Sequence, residues 1–146
     1  MSALKLRSDL DVIWRSRPGW RGVLTNVNHS DVGLRFMIAA CVYFVIDGVP
    51  STMIRAQLAT PRSAFVGPEI YNQLFTMHGS LMMFLLAIPF IEGLAMYMLP
   101  KMLGSRDLAF PRLSAFGWWR YLFGGLILLV AMALGVAPDS AARFRG

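Results

Sequence analysis

Three long apolar runs dominate the chain, and short polar stretches separate them. The runs extend from about residue 33 to 54, from about 71 to 99 and from about 116 to 137. A helix that crosses a bilayer needs about 20 mainly apolar residues, and each run reaches that length. The pattern therefore predicts three transmembrane helices packed as part of a larger bundle, and an all-α fold.

Prolines and one acidic residue lie within these runs or at their ends. Asp47 and Pro50 interrupt the first run, which makes it the weakest of the three. The second run is longer than a minimal span, so we expect it to be tilted, or bent at Pro89. Pro100 and Pro138 are expected to end the second and third helices, because proline cannot continue the helical hydrogen bonding.

The composition excludes the common soluble classes. Apolar residues make up 56% of the chain, charged residues 15%, and the mean hydropathy is +0.54. A soluble domain has roughly 45–50% apolar and about 25% charged residues, and a disordered chain is more polar still. The single cysteine, Cys41, excludes an intrachain disulfide and a Cys-rich metal site, and it is expected to be a small packing residue.

The net charge of +6 is better explained by membrane topology than by nucleic acid binding. Six Lys or Arg residues lie in 1–35 and four in 100–120, against two in 55–70 and two after Pro138. Because basic residues favour the cytoplasmic side, the amino terminus and the second loop are predicted to be cytoplasmic. No nucleic acid partner is expected.

This topology divides the chain into three parts. Residues 1–32 form a cytoplasmic amino-terminal tail, residues 33–137 a three-helix membrane segment, and residues 138–146 a short tail. The first part lacks the apolar stretch of a secretion signal, so it is expected to stay in place. The partners expected first are membrane lipids.

His78 is the strongest candidate for chemistry, because an ionisable side chain inside a membrane is unfavourable unless it has a role. It lies about one turn into the second run and is followed by Gly79. A neutral imidazole in a helical bundle can ligate a metal or a haem iron, and glycine leaves room for a flat macrocycle. Alternatively, His78 forms a hydrogen bond to a neighbouring helix. These residues alone leave both interpretations open.

Longer stretches carry a family resemblance. One long segment resembles subunit I of the haem-copper oxidases, of the cytochrome c oxidase type, from its second helix through the following loop to the start of its third helix. The segment is NQLFTMHGSLMMFLLAIPFIEGLAMYMLPKMLGSRDLAFPRLSAFGWW. NHSDVGLRF is similar to that family's entry to its first helix, and IRAQLATP to the exit. The similarity runs from about Val23 to Ser140, and the pair FTMHG and LAFPRL is its most specific part.

The resemblance implies roles for two residues at a haem. His78 matches one of the two axial ligands of the low-spin haem, and would contact its iron. Arg55 matches an arginine near an edge substituent of the same haem, where a guanidinium can donate hydrogen bonds. The alternative for Arg55 is an anchor that reaches the membrane surface.

The resemblance also implies a proton-uptake role for Asp107, at the cytoplasmic mouth of a channel. The alternative is a surface residue paired with Arg106 or Arg112. In the usual family pattern asparagines partner this acid, whereas this chain has Met96 and Ser114 at the corresponding positions. Because methionine is a poor partner for a water chain, the resemblance supports the haem site more firmly than the channel.

Four further polar residues have weaker interpretations. Asp47 departs from the family pattern and needs a partner in a neighbouring helix, water or protonation. Arg120 is expected to be an anchor at the cytoplasmic end of the third helix. Glu92 matches an acid found in some branches of the family and receives no role. His29, before the first run, is expected at the surface.

The resemblance implies a terminal respiratory oxidase that transfers electrons from cytochrome c or a quinol to dioxygen, coupled to proton movement, in a bacterial plasma (inner) membrane. It implies a low-spin haem of the haem a type here, and copper, a second haem and other oxidase subunits in the full-length family member. Two histidines cannot form a binuclear centre, so this amino-terminal piece is not expected to reduce oxygen alone. The alternatives are a non-catalytic membrane scaffold or assembly protein, and a quinol-oxidising relative.

Overall fold

A computed structural model describes residues 19–61, 65–105 and 108–135, together with Lys5 and Val12. Every regular element within these ranges is helical, and they contain no strand, which confirms the all-α prediction. In chain order the elements are α1 (Trp20–Thr25), α2 (His29–Leu58), α3 (Pro68–Ser80), a π-helical segment (Leu81–Ala87), α4 (Ile88–Met102) and α5 (Pro111–Ala133).

Three spans are long and apolar enough to cross a membrane, as predicted. They are α2 with 30 residues, the continuous helix Pro68–Met102 with 35 residues, and α5 with 23 residues. At about 1.5 Å per residue the second span exceeds a hydrocarbon core of about 30 Å, so it must tilt or project beyond the membrane core.

The helix ends follow from local chemistry, with two differences from the prediction. The side chain of Asn28 caps α2 by accepting a hydrogen bond from the Ser30 amide at 3.1 Å. Pro50 does not interrupt α2, which continues to Leu58. Pro100 does not end the second span either, since α4 continues to Met102. Each proline removes one backbone hydrogen bond, and packing in a membrane bundle tolerates that loss.

The π-helical segment (Leu81–Ala87) lies just before Pro89, where a bend was expected. A π turn widens the helix and shifts the register of hydrogen bonds, and such turns often occur near functional sites. Here the segment begins three residues after His78.

Helix α2 packs against α3, the π-helical segment, α4 and α5. Its closest approach is to α4, where a Cβ added to Gly33 would lie 2.6 Å from the carbonyl oxygen of Gly93. Only glycine at both positions allows this separation. Two apolar clusters fill the interior, one centred on buried Val32, Phe36 and Trp118 and the other on buried Tyr43, Leu81 and Leu85.

Large apolar side chains cover the outer surface of the bundle. Val45, Ile91 and Ile127 are each about two thirds or more exposed. Cys41, which was expected to be a small packing residue, is exposed on the outer surface of the described helices. These faces suit contact with lipid or with further helices.

Candidate functional site

His78 lies on the second span, just before the π-helical segment. It is the eleventh residue of α3, which starts at Pro68, so it sits about 15 Å along the helix axis from that end. Its side chain is one third exposed. The carbonyl oxygen of Thr76 accepts a hydrogen bond from the Ser80 hydroxyl at 3.0 Å on the same helix.

Asp47 is the partner of His78 across the helix interface. The Nδ1 atom of His78 lies 2.7 Å from the Oδ2 atom of Asp47, whose side chain is only 3% exposed. This contact joins the middle of α2 to α3. It supplies the neighbouring-helix partner that was one of three possibilities for Asp47.

The polar atoms around this contact are incompletely satisfied. The contact is at ion-pair distance, but its angle does not make a regular hydrogen bond, and Asp47 Oδ1 has no hydrogen-bond partner in the described part of the chain. Buried polar atoms without partners are rare in proteins, so this pair marks a site that needs an explanation.

The contact to Asp47 uses one ring nitrogen of His78, Nδ1. Beside the ring, a Cβ added at Gly79 would meet nothing within 4 Å, and the same holds at Gly48, next to Asp47. A haem iron requires an imidazole nitrogen with a free electron pair and open space for the macrocycle. Gly79 and Gly48 supply such open space.

Arg55 lies in the last turn of α2 and is exposed. It follows Asp47 by eight residues, which corresponds to about 12 Å along the helix axis. The structure therefore separates Arg55 from the His78 ring by about two turns of helix. That position is compatible both with the edge of a large ligand at His78 and with a surface anchor.

Asp107 and its neighbour Arg106 lie outside the described residues. The positions that would partner Asp107 are described. Met96 packs against the cluster of Val32, Phe36 and Trp118. The hydroxyl of Ser114 donates to the carbonyl oxygen of Phe110 at 3.3 Å, within its own helix.

The structure corrects the prediction for His29, which is 8% exposed rather than at the surface. The reason is that the segment before α2 folds back onto it. Arg35, one to two turns further along α2, donates hydrogen bonds to the carbonyl oxygens of Leu24 at 3.1 Å and Asn26 at 2.6 Å.

Arg35 has a structural role that the sequence pattern had not indicated. It is 6% exposed, and its guanidinium lies 5.6 Å from the centre of the Trp118 ring on α5. An arginine at the start of an apolar run was the available signal, because a charge there needs partners.

The remaining charged candidates lie on the outer surface. Glu92 and Arg120 are both exposed, and the Arg120 guanidinium lies 5.8 Å from the centre of the Phe116 ring. In the described ranges no three His, Cys, Asp or Glu side chains come together as a metal site. A contact to iron from these ranges would therefore rest on a single histidine.

The sequence matches known proteins over most of its length. Residues 31–144 match the family model described as Cytochrome C and Quinol oxidase polypeptide I. The chain is 39% identical to cytochrome c oxidase subunit 1 of Bacillus subtilis (strain 168) over 117 residues, covering 80% of this chain and 19% of that protein. It is 36% identical to the subunit 1 of Alkalihalophilus pseudofirmus over 134 residues, covering 92% and 20%.

A third relative, cytochrome c oxidase subunit 1 of Corynebacterium efficiens, is 39% identical over 122 residues, covering 84% of this chain and 20% of the relative. The chain thus spans about one fifth of the length of these curated relatives. The matched region contains α2 from its third residue onward, all of α3 to α5 and both members of the Asp47–His78 pair. The chain therefore belongs to the family of cytochrome c and quinol oxidase polypeptide I, and it is an integral membrane member of that family.

Proposed function

We propose that His78 is an axial ligand of a haem iron in a terminal respiratory oxidase. The observation that carries this proposal is the setting of the His78 ring: its Nδ1 atom lies 2.7 Å from a buried carboxylate, while the side chain stays one third exposed beside Gly79, where an added Cβ would meet nothing within 4 Å.

When bound, the low-spin haem a type group supplies a carrier that takes up and releases one electron at a time. The protein's part is to hold and insulate it. His78 fixes its position from α3, and the exposed Gly79 leaves the space beside the ring clear. Arg55, near the end of α2, donates to an edge substituent of the ring. Met77, the residue before His78, is buried in the bundle.

The wider role follows the relatives named as cytochrome c oxidase subunit 1. We propose that this segment acts in electron transfer from cytochrome c or a quinol to dioxygen, coupled to proton movement, within an assembly of oxidase subunits and lipid. Copper and the second haem would be held by other parts of a complete oxidase. Since the matched relatives are bacterial, we place it in the bacterial plasma membrane with the amino terminus in the cytoplasm.

Proton uptake at Asp107 is a weaker part of the proposal. The acid falls in a basic loop, which suits a proton-collecting carboxylate. The side chain of Met96, however, is packed among apolar residues, and a thioether gives little support to a water chain. We therefore propose Asp107 as the proton-uptake residue at this entrance, with no contribution from Met96 to the water chain.

The test is His78→Asn in a full-length subunit I that contains this segment. We expect the reduced-minus-oxidised difference spectrum to lose the low-spin haem band, because asparagine provides no imidazole nitrogen for iron. His29→Asn is the matched control. It removes the chain's other histidine, which is buried in the same bundle, so a general folding defect would affect both variants.

A normal low-spin band in the His78 variant would refute the ligand assignment. The better interpretation would then be a non-catalytic membrane scaffold or assembly protein that retains the helices of the family. Loss of the band in both variants would indicate a folding defect and would equally remove the support for a specific role of His78.

A further inference from the structure

Asp47 is a buried acid near the middle of a transmembrane helix. It is 2% exposed and lies eighteen residues after the start of α2 at His29 and eleven before its end at Leu58. A carboxylate at such a depth is strongly unfavourable unless a partner compensates it. In the described part of the chain the polar group that contacts it is the imidazole of His78.

The contact also selects the tautomer of the imidazole. An ionised carboxylate only accepts hydrogen bonds, so it favours the tautomer in which Nδ1, the ring nitrogen 2.7 Å from Asp47 Oδ2, carries the proton. In that tautomer the electron pair of the neutral ring belongs to Nε2, the nitrogen that is able to ligate iron.

We propose that Asp47 is a positioning residue for His78, which holds the ring in the Nδ1-protonated form and presents Nε2 to the haem iron. This inference rests on the proposed function. Metal-binding histidines commonly donate their second N–H to a carboxylate or a carbonyl, which fixes the ring and raises the basicity of the ligand nitrogen. A more basic ligand stabilises ferric over ferrous iron and lowers the reduction potential of the haem.

A purely structural role for Asp47, as a link between α2 and α3, predicts different effects. Asp47→Leu removes only one member of the buried pair and leaves the His78 imidazole without its partner, so it is expected to weaken helix packing under either role, and the tautomer of His78 rather than stability distinguishes the two. Asp47→Asn preserves the size and the polar contact but removes the negative charge. Under our inference both variants change the electronic state of His78 even where the fold is unchanged.

The first experiment needs no haem. The chain contains two histidines, so ¹⁵N-histidine labelling in lipid nanodiscs gives two sets of ring signals, and His29→Asn identifies those of His78. We expect His78 to be protonated at Nδ1 in the unmodified chain and to shift toward the Nε2-protonated form in Asp47→Leu. Identical tautomer ratios in the two proteins would overturn the inference.

The second experiment adds haem to the same nanodiscs. With His78 as the ligand, the iron–histidine stretching frequency of the ferrous form should be lower in Asp47→Asn than in the unmodified chain. The reduction equilibrium should shift about tenfold toward ferrous iron, which is about 59 mV for a one-electron couple. Glu92→Gln is the matched control, since it removes an exposed acid from the same bundle and should change neither value.

The outcomes distinguish the proposed haem-ligand role of His78 from the positioning role of Asp47. Haem binding that is unaffected by His78→Asn would refute the proposed function and the effect on iron, while the tautomer measurement would still decide whether Asp47 orients His78. Haem binding through His78 with an unchanged stretching frequency and potential in Asp47→Asn would overturn the positioning role alone.

Discussion

The hydroxyl of Tyr121 on α5 donates a hydrogen bond to the backbone carbonyl oxygen of Leu85 in the π-helical segment, across 2.6 Å. In a regular α-helix that carbonyl would accept from the amide four residues later, but that residue is Pro89, which has no N–H. A side chain from the third span thus satisfies a carbonyl that proline leaves open. This hydrogen bond is important in a membrane, because no water is available there to donate one to the carbonyl oxygen.

Removal of this hydroxyl should destabilise the bundle. We expect Tyr121→Phe to reduce the free energy of unfolding by about 1 kcal/mol, since the ring packing remains and one interhelical hydrogen bond is lost. The measurement is denaturant unfolding in detergent micelles followed by circular dichroism. Tyr97→Phe, which removes an exposed hydroxyl on α4, is the control and should change stability little.

The two spans that Tyr121 and Pro89 connect were predictable, but the connection was not. Hydropathy locates a helix because each helix satisfies its own backbone. A tilt of this span, or a bend at Pro89, stays a prediction; the structure shows a π-helical segment that ends two residues before that proline. Which side chain reaches that carbonyl depends on helix rotation and register, and neither is encoded in the hydropathy of one segment.

The same limit applies to the candidate site. Sequence reasoning identified His78 as a candidate ligand and stated that Asp47 needs compensation, because both follow from the energetics of polar groups in lipid. It did not identify them as a pair. Their 2.7 Å contact exists because α2 and α3 pack with these two positions at the same depth.

Adjacent glycines on α5 provide a second prediction. A Cβ at Gly125 would lie 2.5 Å from the Tyr43 ring, whose hydroxyl donates to the carbonyl oxygen of Leu122 at 2.7 Å. We expect Gly125→Ala to destabilise the bundle by about 1–3 kcal/mol, because the ring must move and strain that hydrogen bond. Unfolding in detergent micelles measures this effect.

Gly124 is the matched control, since a Cβ there would meet nothing within 4 Å. In that open position Gly124→Ala should stabilise the helix by about 0.5–1 kcal/mol, because alanine has the higher helix propensity. Equal effects of the two substitutions would contradict the close packing of Tyr43 on α5.

Membrane orientation provides a third prediction. The basic residues favour a cytoplasmic amino terminus, so the turn at Gly104 should be cytoplasmic and Gly67 should lie outside. Fusions of a reporter that is fluorescent only in the cytoplasm and of a phosphatase that is active only outside measure this directly. The reverse pattern would place Asp107 on the wrong side for proton uptake from the cytoplasm.

The last prediction concerns Arg55, whose position about two turns beyond Asp47 suits either a haem edge or the membrane surface. The two roles respond differently to lysine. A surface anchor requires only a long side chain with a positive end, so Arg55→Lys would match the unmodified protein. A guanidinium that donates to a ring substituent offers a planar set of donors that an ammonium group cannot reproduce.

In a full-length subunit I with this segment, we therefore expect both Arg55→Lys and Arg55→Met to retain the low-spin haem and to shift its absorption maximum, with the larger shift in the methionine variant. Difference spectra of the reduced proteins measure both the amount of haem and the position of the band. Arg120→Met, which removes an exposed arginine from α5, should leave the band in place. An unshifted band in both Arg55 variants would assign Arg55 to the membrane surface, because loss of a donor at the haem edge must alter the electronic environment of the ring.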